Sequence, residues 1–272
     1  MMQKKAHPFV KYSGCGNDFI VIDNRKRSFC CEDKEAISKL CHRQKGIGAD
    51  GVLLLGKAEE SYTMRIFNAD GSEAAMCGNG LRCLAKFIDN IDQPKDSFTI
   101  LSPYGKHYIE VKQDRVSATL ASPQVCKWNL PIPLSDGERS VHFLNTGVPH
   151  AVLLVENIEE VEIDKVGKEI RWHRLFSPEG TNATFVELGQ EGTLSFRTYE
   201  RGVEGETLAC GTGAIAAALT AAHLKKWKSP IQTITREGSL LTIDFKIQNG
   251  VFSDIIMTGP AEEVYHGIVM LG

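Results

Sequence analysis

Apolar positions recur along the chain in two rhythms. Short alternating or continuous apolar runs predict strands at Phe9–Tyr12, Asp18–Asp23, Val52–Leu55, Tyr62–Asn68, Ser97–Leu101, Lys106–Lys112 and Val116–Leu120. Further on, the same rhythm returns at Val141–Asn145, Ala151–Val155, Ala183–Leu188, Thr193–Tyr199, Gln232–Thr235, Leu240–Lys246 and Asp254–Thr258. A helical rhythm marks Glu32–Arg43, with Ala36, Ile37, Leu40 and Cys41 on one face, and a second helix with Leu81, Leu84, Ala85 and Ile88 spaced i, i+3, i+4, i+7. Asp164–Arg171 and the run Ile215–Leu224 complete the helices. The last is apolar nearly all round, from Ala214 to Ala222. Such a helix has no face for water, so a curved sheet is expected to wrap it. Ser122–Pro133 is irregular and rich in proline, and is predicted to be a linker. The Glu200–Glu206 stretch is predicted to be a loop.

On either side of that linker the order is the same: strands, a helix preceded by Cys-Gly-x-Gly, strands. The two copies are Met76–Cys77–Gly78–Asn79–Gly80–Leu81 and Ala209–Cys210–Gly211–Thr212–Gly213–Ala214. This is the pattern of an internal duplication. At 272 residues the chain has room for two domains of ordinary size. A formal net charge of −3 gives no reason to expect nucleic acid or an anionic membrane as partner. No apolar run approaches the roughly 18 residues of a membrane span, and Met1–Pro8 lacks the apolar core of a signal peptide.

The eight cysteines change the picture more than the charge does. No C-x2-C pair offers a metal site, and a disulfide framework is out of keeping with a chain of this length without a secretion signal. The expectation is a cytoplasmic protein with reduced thiols. Cys15, Cys30, Cys31, Cys41, Cys83 and Cys126 are expected to pack as small apolar residues. Cys77 and Cys210 differ because each precedes a helix start. A helix N-terminus carries unpaired N–H groups and about half a positive charge. It lowers the pKa of a thiol placed there and offers donors to an anion such as a carboxylate. Two such sites facing one another would put a thiol on each side of a carbon atom and two sets of donors on one anionic group. That suits inversion at the α-carbon of an amino acid: one sulfur removes the proton, the other returns it to the opposite face, and the carboxylate takes up the developing charge. The ordinary alternative, a buried packing cysteine, stands beside this for each residue taken alone.

With these residues in hand, the chain resembles the diaminopimelate epimerases over nearly its whole length. The resemblance is carried by Phe67–Asn68–Ala69–Asp70–Gly71–Ser72–Glu73 before Cys77–Gly78–Asn79–Gly80, and by Tyr199–Glu200–Arg201–Gly202 before Cys210–Gly211–Thr212–Gly213. Gly16–Asn17–Asp18–Phe19, Gly46–Ile47–Gly48–Ala49–Asp50 and Gly147–Val148–Pro149–His150 add to it. The resemblance implies a cofactor-free, metal-free isomerase that converts LL-2,6-diaminopimelate to the meso form in lysine and peptidoglycan-precursor synthesis. Cys77 and Cys210 match its two bases, and Gly78, Asn79, Gly211 and Thr212 the donors to the reacting carboxylate. Asn17, Asn68, Asn182, Glu200 and Arg201 match residues that bind substrate, and His150 and Glu200 those that set the protonation and orientation of the cysteines. Tyr265 matches a tyrosine at a homodimer interface. Outside these motifs Asn68 and Asn182 would be read as turn residues, His150 as a core histidine, and Glu200–Arg201 as a surface ion pair.

The fold so implied is α/β of the α+β type: two pseudo-symmetric domains, each a curved mixed sheet wrapped around a central helix. Residues 1–120, completed by 260–272, form the first domain and 121–259 the second, with the site in the cleft between them. Two positions depart from the family pattern. Gly51 stands where some members have Gln, and Val148 where many have Asn, so the distal end of the site is expected to be looser and open to a shorter amino acid. Rival readings are a two-cysteine racemase of broader range, including one of the proline racemase kind, and a dithiol redox protein. A binding module that has lost its activity would be expected to have lost a cysteine.

Overall fold

The computed structural model describes residues 5–30, 33–74, 76–94 and 96–271. Cys31 and Glu32, the first a predicted packing cysteine and the second the predicted start of a helix, lie outside the described residues. The chain divides into two compact units: Met1–Thr119 with Gly259–Gly272, and Leu120–Thr258.

The first unit contains strands β1 (Lys5–Gly14), β2 (Asn17–Asp23), β3 (Gly51–Ala58), β4 (Ser61–Asn68), β5 (Glu73–Ala74), β6 (Phe98–Ser102), β7 (Gly105–Lys112) and β8 (Arg115–Leu120). Helix α1 (Lys34–Cys41) lies between β2 and β3, and α2 (Gly78–Asp92) between β5 and β6. Strand β2 runs parallel to β3, and β4 to β6; the pairs β1–β2, β3–β4, β4–β5, β6–β7 and β7–β8 are antiparallel. The β1–β2 hairpin turns on Cys15 and Gly16, both at positive φ, the conformation a tight two-residue turn needs. Asp33 caps α1 by accepting from the Ala36 N–H at 2.9 Å.

The second unit repeats the first strand for strand. Its elements are β9 (Cys126–Leu134), β10 (Gly137–Asn145), β11 (Pro149–Val155), α3 (Ile163–Arg171), β12 (Asn182–Leu188), β13 (Thr193–Glu200), β14 (Gly205–Thr207), α4 (Gly211–Lys225), β15 (Ile231–Ile234), β16 (Leu240–Gln248) and β17 (Val251–Pro260). Here β11 is parallel to β12 across α3, and β13 to β15 across α4, with antiparallel pairs at every other step. The chain then returns: β18 (Glu262–Leu271) pairs antiparallel with β1, as β9 pairs with β10. Each unit thus holds the same ladder, with a helix that carries a cysteine at its N-cap.

Three expectations are corrected here. Ser122–Pro133 is not a linker, because Cys126–Leu134 is a strand on β10. Pro131 and Pro133 lie two apart, so both missing N–H groups fall on one side, the pattern that a sheet edge tolerates. The Glu200–Glu206 loop is shorter than predicted, since Gly205–Thr207 folds back on β13. Among the described cysteines, Cys15, Cys41, Cys83 and Cys210 are buried and Cys77 and Cys126 half-buried, but Cys30, expected to pack as a small apolar residue, is exposed.

Helix α4 is buried along Gly213–Ala222 and packs on β10, β11, β12, β13, β15 and β16. Its alanines favour the helix intrinsically, and their small side chains let the sheet close around it. Helix α2 is buried from Gly78 through Ala85. On the outer side of each sheet a second apolar layer forms, with Ile37 and Leu40 of α1 against Ile20, Ile22 and Val52, and Ile163 and Ile170 of α3 against Ala183, Phe185 and Tyr199. Among the described residues, no helix is long and apolar enough to cross a membrane.

The approach of α3 to the sheet rests on Gly167. A Cβ there would lie 2.6 Å from Tyr199 Cβ and 2.8 Å from its Cγ. In an exposed helix Gly→Ala stabilises by about 1 kcal/mol. Here Gly167→Ala is expected to destabilise by about 1–3 kcal/mol, because α3 must move off β13. A urea midpoint that rises in this variant would contradict the packing described.

Candidate active site

Cys77 is the N-cap of α2, with extended backbone (φ −146°, ψ 119°), and its sulfur accepts from the Gly80 N–H at 3.4 Å. Sulfur is a poorer acceptor than the oxygen of Ser or Asp at this position. The thiol in turn donates toward Asn17 Oδ1 at 3.6 Å, and Asn79 Nδ2 reaches the same oxygen at 3.4 Å. The Asn17 amide is oriented from its other end, where Nδ2 donates to Asp50 Oδ2 at 2.8 Å. Asn79 is oriented by Arg82, whose Nη2 donates to Asn79 Oδ1 at 2.9 Å. A carboxylate only accepts and a guanidinium only donates. Asp50 and Arg82 therefore fix the polarity of both amides and leave Asn17 Oδ1 aimed at the sulfur.

Behind Asn17 stands a charged network. Arg43 forks onto both Asp18 oxygens at 3.0 Å and reaches Asp50 at 2.8 Å. Lys11 meets Asp18 at 2.8 Å and donates to the Gly48 carbonyl. Burial by itself would raise the Asp18 carboxyl, but Arg43 and Lys11 hold it down at about 2. Tyr265, predicted at a homodimer interface, lies on β18 and donates to the Ile47 carbonyl at 3.2 Å. Asn68 ends β4 and spends its amide on Ser72 Oγ at 3.0 Å, within its own turn. Gly51 opposes Asn68 across β3–β4, and a Cβ there would meet the Phe67 carbonyl oxygen at 2.4 Å. The backbone itself thus excludes a larger side chain at this departure from the family pattern.

In the second unit Cys210 caps α4 (φ −126°, ψ 105°) and is buried. Its sulfur lies 3.5 Å from Thr212 Oγ1. Gly213 makes room for it: a Cβ there would lie 2.8 Å from Thr198 Oγ1 and 3.3 Å from the sulfur. Burial, with the Glu200 carboxylate next to it, pushes the Cys210 thiol well above its ordinary range. Glu200 Oε1 accepts from Thr207 Oγ1 at 2.5 Å. His150, at the start of β11, is fully buried and lies opposite Asn182 of the parallel strand β12. Burial, with the Arg201 charge adding to it, depresses the imidazole to about 3, so the ring is neutral. Its Nε2 is 2.9 Å from Thr212 Oγ1 and 3.3 Å from Asn182 Nδ2, and its Nδ1 is 2.9 Å from Thr184 Oγ1. Asn182 Oδ1 accepts the Arg201 N–H at 2.7 Å, and the Arg201 guanidinium is 3.7 Å from Glu179 Oε2. Thr146 Oγ1 donates to the Thr212 carbonyl at 3.0 Å and steadies the first turn of α4.

The fold therefore gathers Asn17, Cys77, Gly78 and Asn79 at the mouth of α2. It gathers His150, Asn182, Glu200, Arg201, Cys210, Gly211 and Thr212 at the mouth of α4. Each mouth offers a sulfur, the N–H groups of a helix's first turn and at least one fixed amide, the parts needed for proton transfer beside a bound carboxylate. Sequence reasoning missed Arg82, Asp50, Thr184 and Thr198. Asp50 closes the Gly46–Asp50 motif without a role assigned to it there, and Arg82 leaves a trace as a charged residue set among Leu81, Cys83, Leu84 and Ala85, fully buried here. Among the described residues no group of three His, Cys, Asp or Glu is placed to hold a metal ion.

The family model described as "Diaminopimelate epimerase" matches residues 9–124 and 142–264. A diaminopimelate epimerase of Hydrogenobaculum sp. (strain Y04AAS1) is 41% identical over 276 residues, covering 96% of this chain and 97% of the relative. Among solved structures, a phenazine biosynthesis protein of the PhzF family from Bacillus anthracis superposes with a TM-score of 0.77 at 14% identity, covering 98% of this chain and 100% of that one. A probable proline racemase from Agrobacterium radiobacter K84 gives a TM-score of 0.71 at 14% identity, covering 98% and 93%. These two likenesses establish the fold, α/β with a duplicated mixed-sheet unit.

The buried neutral His150 ties stability to pH. Its folded-state value of about 3 lies below the ordinary value of 6.5, so between them the unfolded chain binds a proton that the folded chain does not. Stability is full above pH 6.5 and falls as the pH drops toward 3. From pH 6.5 to 5 one such group accounts for about 2 kcal/mol. His150→Gln is expected to lose less stability than the parent between pH 7 and pH 5, as read by urea midpoints. An equal loss in both proteins would show that the ring is not held neutral.

Proposed function

The chain belongs to the diaminopimelate epimerase family, and from that membership we propose that it interconverts LL- and meso-2,6-diaminopimelate, with Cys77 and Cys210 as the two bases. The observation that carries this reading is 41% identity along nearly the whole of a diaminopimelate epimerase, with a cysteine retained at the N-cap of both duplicated helices. The 14% identity to a proline racemase supports a common fold and nothing narrower, so the diaminopimelate reading stands ahead of a proline racemase or a redox dithiol.

In the proposed reaction one sulfur, as thiolate, takes the α-proton. The C–H electron pair moves into the α-carboxylate, which becomes an enediolate held by the N–H groups of Gly78, Asn79, Gly211 and Thr212. The other sulfur, as thiol, gives its proton to the opposite face of the carbon. Substrate leaves inverted, with the roles of the two sulfurs exchanged. Fixed donors at the developing charge account for the largest share of the acceleration, and matched acid and base for roughly two to four further powers of ten. Arg201 suits the distal carboxylate as a two-pronged partner, and Asn17, Asn68 and Asn182 its remaining polar groups. Both proton positions and all the charge stabilisation come from the chain, which supports a cofactor-free reaction. Two reduced thiols are needed at once, which fits the reducing cytoplasm. A homodimer is proposed through β18, whose Val264, Ile268 and Met270 are exposed next to Tyr265.

Cys77→Ala and Cys210→Ala are each expected to fold as the parent does and to abolish racemising turnover, with no pyridoxal phosphate or metal added. Proton–deuterium exchange at the α-carbon in heavy water checks this. Turnover in either variant would sink the two-base scheme, and exchange into glutamate or aspartate would reveal the broader racemase. Ile268→Glu is expected to shift the sedimentation coefficient from dimer to monomer; a monomeric parent would remove the β18 dimer.

A further inference from the structure

Thr212 has one hydroxyl proton and two acceptors for it. His150 Nε2 is 2.9 Å from Thr212 Oγ1, and Cys210 Sγ is 3.5 Å from it. Which of them takes the proton is decided by groups that cannot turn. The Arg201 backbone N–H occupies Asn182 Oδ1 at 2.7 Å, so the Asn182 amide presents its N–H side to His150 Nε2, 3.3 Å away. An amide nitrogen donates and never accepts, so Nε2 is the bare nitrogen of the neutral ring. The ring proton sits on Nδ1, where Thr184 Oγ1 receives it at 2.9 Å.

While Cys210 is a thiol, the imidazole nitrogen is the stronger acceptor, and the Thr212 hydroxyl points to it. The Glu200 carboxylate and Thr212 Oγ1 are then the acceptors next to the thiol proton. Once Cys210 ionises, the order reverses. The sulfur is an anion that accepts a charge-assisted hydrogen bond, whereas Glu200 repels it and His150 keeps Asn182 as its donor. Rotation about the Cβ–Oγ1 bond of Thr212 is enough, and no heavy atom moves. The Thr146 hydroxyl holds the Thr212 carbonyl at 3.0 Å meanwhile, so the backbone N–H stays where a carboxylate would meet it.

We infer that Thr212 is a positioning residue of the reaction, whose hydroxyl turns from His150 to Cys210 as the thiol becomes a thiolate. This rests on the assignment of Cys210 as one of the two bases, and it adds a side-chain role to a residue otherwise matched only through its N–H group. Beside the sulfur, the Glu200 carboxylate can only accept and the Gly213 backbone N–H is fixed by the helix, while the bare His150 Nε2 faces Thr212, so the Thr212 hydroxyl is the neighbour whose donor can turn.

The test uses Thr212→Val, which keeps the shape and the backbone N–H, and Thr212→Ser, which keeps the hydroxyl. In a Cys77→Ala background, iodoacetamide alkylation of the Cys210 peptide is followed against pH by mass spectrometry. Valine is expected to move the midpoint upward by about one to two pH units, and serine to restore it. In the otherwise unaltered chain valine is expected to lower kcat by about ten- to a hundredfold with KM within about twofold, and serine to recover most of it. An alkylation midpoint unchanged by valine, or a serine variant as impaired as valine, overturns the role of Thr212. If Cys210→Ala itself turns over diaminopimelate, the assignment of Cys210 fails instead, and the two failures are told apart by that variant.

Discussion

A helix apolar on every side is stable in water only if other structure closes around it, and Ala214–Ala222 is such a helix. Much else in its unit is tied to that enclosure. Small residues bring the strands in, and their approach carries the N-terminus of the helix out of solvent. A thiol at that end loses its hydration, so its proton is held by burial against a helix dipole that would release it. A Cys N-cap forgoes the better acceptors available to Ser or Asp, and Gly213 forgoes helix propensity so that the sulfur fits. Both are losses of stability located at the two positions where chemistry needs them.

The duplicated units agree in their ladders and differ in what lies behind each sulfur. Arg65 grips Glu73 with two bonds of 2.7 and 2.8 Å across β4–β5, and Arg197 grips Glu206 with two of 2.6 and 2.7 Å across β13–β14. These equivalent forks pin the short strand that leads into each cysteine. Beyond them the halves diverge. The Cys77 surroundings are polarised by full charges at both ends, Asp50 and Arg82, so their amides have one arrangement. Cys210 has the Glu200 carboxylate beside it and, through Thr212, a neutral chain of His150, Thr184 and Thr198 in which hydroxyl protons can reorient. One half is a fixed acceptor and the other an adjustable one, built on the same topology.

The strands and helices were legible where periodicity and the Cys-Gly-x-Gly starts reinforced each other, and the repeated order disclosed the duplication. Legibility failed where local chemistry and tertiary context conflict. Pro131 and Pro133 argue against a strand until β10 is seen to supply a partner on one side only. The three residues of β14 are too few to show a period. Thr184 and Thr198 look like ordinary strand residues, and their place behind His150 follows from the parallel register that sets His150 opposite Asn182. Arg82 is polar in sequence and buried in fact, because its partners, Asn79 and the Gly78 and Pro260 carbonyls, come partly from the far end of the chain. Contacts of that separation leave no mark in any local window.

The pairing of β18 with β1 sets an order on synthesis. The second unit, Leu120–Thr258, is continuous in sequence and can finish its ladder while the chain is still growing. The first unit cannot, since β1 waits for a strand made some 250 residues later. Until β18 emerges from the ribosome, β1 presents an open edge with Phe9 beside it, the kind of surface that invites wrong pairing. The half that begins first is completed last, and its cysteine is the last to gain a finished domain around it.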